Sequence, residues 1–189
     1  MGHKPVAAGK SSFDLVDREA AFAIIDVRPG SSFLDLASGI GRYSTAVAER
    51  IGARGTVYAV DLWEEGIAAL DREIRHQGIE NIKTLVANIS DTLPLAGESF
   101  DACLIATVLH DLSKNDQHAA LREVARLLRP GGHLNIIEFK KIDKGPGPPV
   151  AKKMDEEEVE ALATEYGFAK VAGCDVGEFT YLLKFEKST

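Results

Sequence analysis

Short apolar runs alternate with segments of helical periodicity along most of this chain, and that alternation admits few folds. SFLDLA (32–37), TVYAVD (56–61), IKTLVAN (82–88), FDACLIATVL (100–109) and HLNIIEFK (133–140) read as strands. Helices are expected over 17–27, 42–51, 64–76 and 116–128, each followed by glycine or by a Pro-Gly pair. Apolar strands separated by helices belong to a parallel sheet that is covered on both faces.

The last third changes character. KKIDKGPGPPV (140–150) is too rich in proline and glycine for a helix interior or a central strand. Asp155 with Glu158 forms a capping box for a helix over 155–166, which Gly167 stops. KVAGCDV (170–176) and FTYLLKFEK (179–187) stand too close in sequence for a helical crossover and are expected to pair as an antiparallel hairpin. The expected fold is therefore α/β: a mostly parallel sheet with one antiparallel edge strand. A length of 189 residues suits one domain, 1–189, with 1–16 as a flexible or lid-like N-terminal segment that ends in KSSFDLVD.

Charge and composition exclude several roles. A net charge of −7 argues against tracking a nucleic-acid backbone, so no nucleic-acid partner is expected. No apolar run approaches the ~20 residues of a membrane span. MGHKPVAAGKSS has no apolar stretch after its charge and is not a secretory signal, and Val6 stands where a lipidation signal needs Ser or Thr. Cys103 and Cys174 lie far apart and read as reduced thiols of a cytoplasmic protein. No Cys/His cluster has metal-ligand spacing, so no metal is expected. His3 falls in the N-terminal tail, and His76, His118 and His133 fall on helix or turn surfaces.

Three features sit at the carboxyl ends of the first three strands, where open α/β sheets bind ligands. Asp35-Leu36-Ala37-Ser38-Gly39-Ile40-Gly41 joins a strand to a helix, and its glycines allow a tight turn and close approach of a ligand. Asp61 ends the second strand, where a carboxylate accepts hydrogen bonds from both hydroxyls of a ribose. Asn88-Ile89 ends the third, an amide and an apolar side chain suited to the edge and face of a purine. Each alone is weak, since a Gly-x-Gly turn is often only structural. Together they point to a ligand that contains adenosine. A dinucleotide fingerprint would place a third glycine where this chain has Ser44, and Asp35 would repel a pyrophosphate. A ligand with a cationic ammonium group suits Asp35 better.

FLDLASGIGRYS resembles the first motif of class I methyltransferases that use S-adenosyl-L-methionine, and YAVD resembles the second. VANISDTLPLAGESFDACLIATVLHDL, LLRPGGHLNIIEF and EEVEALATEYGF resemble the later ones, so that the likeness runs from Pro29 to the C-terminus. Among small-molecule enzymes it is closest to the ubiquinone/menaquinone methyltransferase branch. The resemblance implies a Rossmann-like three-layer sandwich of seven strands, the last antiparallel. It implies S-adenosyl-L-methionine as cofactor, with the methionine moiety held by Asp35 and by the backbone near Ala37, Ser38, Gly39 and Gly41. It further implies ribose on Asp61, adenine between Leu62 and Ile89 with its amine on Asn88, and closure by Ala106 and Thr107. Two positions depart from the family pattern: Ala37 replaces a usual glycine, and Asn88 replaces a usual acidic residue.

The chemistry needs mainly alignment of the acceptor with the activated methyl. His110, followed by Asp111, is the candidate general base, or it only shapes the pocket. Lys140, Lys141, Lys144, Lys152 and Lys153 flank the Gly/Pro stretch, either as a lid for an anionic acceptor or as a solvated loop. Trp63 either lines the adenine pocket or packs on the next helix, and Phe13 would anchor an N-terminal segment folded over the cofactor. The expected partner is a small-molecule methyl acceptor, and the chain is expected to be a monomer or a homodimer. Two other readings remain open from the sequence: a nicotinamide-dependent oxidoreductase, and a binding module that retains S-adenosylmethionine without turnover.

Overall fold

A computed structural model describes residues 8–25 and 27–188. Val6 and His3 lie outside the described residues. Seven strands form one sheet in the order β3-β2-β1-β4-β5-β7-β6. They are β1 (Ser32–Leu36), β2 (Thr56–Asp61), β3 (Ile82–Val86), β4 (Phe100–Ala106), β5 (Leu128–Phe139), β6 (Phe168–Asp175) and β7 (Thr180–Lys187). The helices are α1 (Arg18–Ile25), α2 (Arg42–Ile51), α3 (Glu64–Gln77), α4 (Lys114–Leu127) and α5 (Glu156–Thr164).

Two apolar clusters show why the helices divide as they do. Leu34, Leu36, Cys103 and Ile136 face α4 and α5 through Leu121, Val124, Val159 and Leu162. Phe33, Val57, Ala59 and Leu104 face the other way, toward Ile25 of α1, Val47 and Ile51 of α2 and Leu70 of α3. Strand residues alternate between these faces, and neither face is left to water. The result is the Rossmann-like three-layer sandwich.

Local chemistry sets the boundaries. Asp17 accepts hydrogen bonds from the N–H groups of Glu19 and Ala20, which starts α1 one residue after the capping carboxylate. Gly41 and Gly52 flank α2, both with positive φ. Ser113 caps α4, which begins two residues earlier than the expected 116. The capping box of Asp155 and Glu158 is complete.

Two expectations fail. The strand expected at 133–140 begins at Leu128, running on directly from α4. Its pairing with β4 jumps from Phe100–Leu128 to Ala102–His133, so Arg129-Pro130-Gly131-Gly132 form an irregularity inside the strand, where a proline can sit without a ladder partner. The antiparallel strand is not at the edge. β7 inserts between β5 and β6 and is antiparallel to both, which leaves β6 as the edge. Burial explains the choice: β7 is buried from Thr180 to Phe185, while β6 exposes Ala169, Lys170 and Val171. Among the described residues no helix is long and apolar enough to cross a membrane.

Candidate functional site: two adjoining cavities at the carboxyl end of the sheet

The parallel strands β1, β2 and β4 all end on one side, and the loops that leave them surround a cavity. Asp35 on β1 lies at its floor with 1% of its surface exposed. Burial, reinforced by the nearby charge of Asp61, pushes its carboxyl up to about 7, although the Ser44 hydroxyl donates a hydrogen bond to it and works the other way. Ser44 thus fills the place where a dinucleotide fingerprint has glycine, and it does so by holding a carboxylate.

The loop after β1 turns through left-handed backbone at Ala37 (φ 59°), Gly39 (58°) and Gly41 (76°). An alanine in that region costs about 1–2 kcal/mol, a strain held by the bonds on either side. Ser38 N–H donates to the Val60 carbonyl (3.1 Å), and Gly39 N–H donates to Asp61 Oδ2 (2.7 Å). No protein atom comes within 4 Å of a Cβ placed on Gly39, so the backbone face there is bare. Gly41 does something else. It stands behind the loop rather than on the cavity, and a Cβ on it would come 2.4 Å from a Leu70 methyl. Gly41→Ala is therefore expected to destabilise the fold by roughly 2–4 kcal/mol, combining left-handed strain with overpacking. Denaturant unfolding measures it, and a change below ~1 kcal/mol would show that Leu70 yields.

Asp61 terminates β2 and joins two loops. Its second oxygen accepts the Trp63 N–H at 2.7 Å, which starts α3. Leu62 stands half exposed at the rim. Both readings of Trp63 hold: it lines the cavity, and its ring packs so closely on Gly66 that a Cβ there would lie 2.4 Å away. Asn88 and Ile89 line the far wall two and three residues beyond β3, with Ile89 buried. Asn88 Oδ1 accepts the Ser90 N–H at 3.1 Å, which leaves its NH2 as a donor. Ala106 and Thr107 close the wall at the end of β4, with Thr107 in left-handed backbone (φ 52°).

Residues 8–12 form the cover. Ser12 is buried and shares hydrogen bonds of 3.1 Å with the Tyr43 hydroxyl and with Thr107 Oγ1. Phe13 is buried edge-on against Tyr43, 5.0 Å between centroids, with the Arg42 guanidinium over its ring. Asp14 closes the clasp by a two-pronged ion pair to Arg42. These partners were invisible in the sequence, because Arg42, Tyr43 and Ser44 read there simply as the first turn of α2.

His110 does not line this cavity. It lies in a 3-10 turn, Leu109–Asp111, on the wall of a second one that shares Lys10, Ser11, Ser12 and Thr107 with the first. Its Nδ1 meets Glu138 Oε2 at 2.7 Å. The sequence hides Glu138 within the strand NIIEF, where its one signal is an ionisable residue inside an otherwise apolar run.

The lysines flanking the Gly/Pro stretch are mostly engaged within the protein. Lys140 binds Asp175 (2.8 Å) and the Gly177 carbonyl, Lys141 binds Glu158 (2.9 Å), and buried Lys153 donates to the Ile142 carbonyl. Lys144 stands 4.0 Å from Glu178. Of these five, Lys152 lines the second cavity. Both cysteines are free, and no cluster of three metal-ligating side chains occurs among the described residues.

Residues 34–136 match the family described as "Methyltransferase domain". The ubiquinone/menaquinone biosynthesis C-methyltransferase UbiE of Hydrogenovibrio crunogenus is 32% identical over 136 residues, 71% of this chain and 51% of that protein. A demethylmenaquinone methyltransferase of Lactobacillus johnsonii is 29% identical over 165 residues, 87% of this chain and 64% of that one. The chain thus spans between about half and just under two thirds of the length of these relatives. A SAM-dependent methyltransferase from Aquifex aeolicus shares the fold with a TM-score of 0.84 at 24% identity, covering 97% of this chain and 94% of the other. A Burkholderia thailandensis 1,6-didemethyltoxoflavin-N1-methyltransferase, solved with S-adenosylhomocysteine, does so at 0.72 and 23%, covering 93% and 80%.

Proposed function

Because the chain belongs to the methyltransferase family and is similar to ubiquinone/menaquinone enzymes, we propose that it binds S-adenosyl-L-methionine in the first cavity and transfers its methyl group to a small-molecule acceptor. The observation that carries this reading is Asp61. One carboxylate fixes the backbone of the glycine loop and the start of α3 while keeping further lone pairs for a pair of vicinal hydroxyls.

The residues present fit that cofactor. Ser38 Oγ is buried without a hydrogen-bond partner, an acceptor and donor at the loop where a carboxylate or ammonium would lie. The bare backbone at Gly39 admits close approach. Asp35 offers a buried charge to the ammonium group, Leu62 and Ile89 offer apolar faces to the adenine, and the Asn88 NH2 offers a donor to a ring nitrogen. Asn88 Oδ1 keeps a second lone pair beside the bond it accepts from Ser90, so it can also accept from the exocyclic amine. When bound, the cofactor supplies an activated methyl on a sulfonium. The protein aligns, encloses and excludes water. Residues 8–12 serve as the cover, and the chain acts as one domain.

A nicotinamide dinucleotide is disfavoured by a specific pair: Ser44 in the third-glycine position holds Asp35, and Asp35 would face the pyrophosphate. A thermal-shift screen separates the two ligands. S-adenosylhomocysteine at about 100 times its Kd is expected to add roughly 2.7 kcal/mol of stability, and NAD and NADP none. Stabilisation by the dinucleotides alone would overturn the proposal. Mass-spectrometric detection of methylated products across an acceptor library distinguishes an enzyme from a binding module.

A further inference from the structure

The second cavity gathers ionisable groups that the cofactor does not use. It measures about 340 Å³ and meets the first along Ser12 and Thr107. Leu15, Phe139 and the segment from Pro146 to Pro149 make its apolar wall, and Lys10, His110, Asp111 and Lys152 line the rest with Ser11, Ser12 and Thr107. Within this setting Glu138 is completely buried. It accepts hydrogen bonds from three donors: His110 Nδ1 (2.7 Å), the His110 backbone N–H (3.3 Å) and the Phe139 N–H (3.1 Å). Burying a carboxylate costs several kcal/mol unless it is paired, and an apolar residue would pack as well in a strand of Ile136, Ile137 and Phe139. The carboxylate makes sense as a holder of His110.

The geometry fixes what is left for a ligand. With Nδ1 turned to Glu138, the imidazole presents Nε2, with Asp111 Oδ2 at 3.5 Å. The Phe139 ring meets the imidazole edge-on at 5.7 Å and holds its plane. The charged groups facing His110 are Glu138 from β5, Asp111 from its own turn and Lys152, whose Nζ is 3.9 Å from Asp111. Burial alone lowers the imidazole's proton affinity. Glu138 and Asp111 outweigh burial and Lys152, and the net shift is upward. A proton delivered to Nε2 is therefore held by a carboxylate on the opposite nitrogen, the arrangement a general base requires.

Resting on the methyl-transfer reading, we infer that this second cavity is the acceptor site, that it takes a compact, mostly apolar molecule with one dissociable hydroxyl, and that Glu138 is the positioning residue which makes His110 the proton acceptor. A hydroxyl is a weak nucleophile until it loses its proton, and the dyad offers an acceptor for that proton, while a cationic ammonium is not suited to the apolar wall. The proton passes from the hydroxyl oxygen to Nε2 and the O–H electron pair stays on oxygen. An oxyanion then stands beside an imidazolium whose Nδ1–H donates to Glu138. Ser12 and Thr107 line both cavities, at the seam where an acceptor in the second meets the first.

The test uses the full chain saturated with S-adenosylhomocysteine. It compares 4-nitrophenol, whose visible absorbance reports its ionisation, with its methyl ether 4-nitroanisole, which has no proton to give. Calorimetry is expected to show 4-nitrophenol binding at least tenfold tighter than 4-nitroanisole, and its absorbance is expected to show the bound anion. Glu138→Gln is expected to weaken 4-nitrophenol about tenfold and to reduce its ionised fraction. Binding of 4-nitroanisole and of S-adenosylhomocysteine should be unchanged, a split that a merely structural role would not produce. Equal binding of the two probes, no binding of 4-nitrophenol, or an undiminished anion in Glu138→Gln would each overturn the inference. If Glu138→Gln fails to fold by circular dichroism, the two probes on the wild type and on His110→Gln decide it. Failure of wild type to bind S-adenosylhomocysteine would instead remove the cofactor reading beneath it.

Discussion

Replacing Asp61 with alanine is expected to weaken S-adenosylhomocysteine binding by about 10²- to 10⁴-fold. Two hydrogen bonds from ribose hydroxyls to a carboxylate contribute about 1.5–3 kcal/mol each, and every 1.4 kcal/mol is a factor of about ten. The same change also releases the Gly39 and Trp63 N–H groups that Asp61 holds at 2.7 Å each. The glycine loop and the start of α3 then lose their common anchor, so the loss should fall in the upper part of that range. Asp61→Asn keeps one acceptor oxygen and should fall between. Isothermal calorimetry reads both, with thermal melts to report the folded fraction. An unchanged affinity in Asp61→Ala would remove the ribose role.

The second large effect is a pH dependence centred on Asp35. Burial, with the charge of Asp61, raises its carboxyl to about 7 from the ordinary 3.8. A cationic ammonium binds the ionised form, so cofactor affinity should rise as pH rises through about 7. Between pH 8 and pH 6 the loss is about tenfold, because at pH 6 roughly one molecule in ten carries the charge. Proton release on binding near pH 6.5, measured by calorimetry in buffers of different ionisation enthalpy, checks the same linkage. Stability runs in the opposite sense. The folded carboxyl holds its proton up to about 7 and the unfolded one only to about 4, so the contribution of Asp35 to the stability of the ligand-free protein falls as pH climbs across that window, by about 1.4 kcal/mol per unit. Asp35→Asn should flatten both profiles while Ser44 keeps an acceptor for its hydroxyl. A pH-dependent affinity that persists in Asp35→Asn would locate the titrating group elsewhere.

The contrast between the two halves of the chain shows what a sequence carries. β1, β2, β4 and α2 are legible because a buried parallel strand must be apolar on both faces and a helix between two glycines has fixed ends. The lining of the first cavity followed almost whole from that order, since Asp35, Gly39, Asp61 and Ile89 lie on or just beyond successive strand ends. The partner of β7 was not legible. TYLLKF is buried throughout, and that continuous burial is the mark of an interior strand, but a hairpin pairs equally well in either order and periodicity does not say which member docks on β5. The irregular entry to β5 was hidden because Pro130-Gly131-Gly132 reads as a terminator even where a strand absorbs it. The second cavity was the least readable. The Glu138–His110 pair joins residues 28 apart, and the Asp14–Arg42 clasp joins residues 28 apart across the cover. Contacts of this kind exist only once the sheet has formed.

The strand order has a consequence for how the protein is made. β6 precedes β7 in the chain, yet within the sheet β6 is paired only with β7. As the chain leaves the ribosome, β6 has no strand to pair with, and the free edge of β5 stays open until β7 has been synthesised and threaded between them. For that interval an apolar ladder and a loose strand are both available to other chains. Substitutions that slow the docking of β7 should therefore be read first in the yield of soluble protein during expression, before they are seen in the stability of the finished fold.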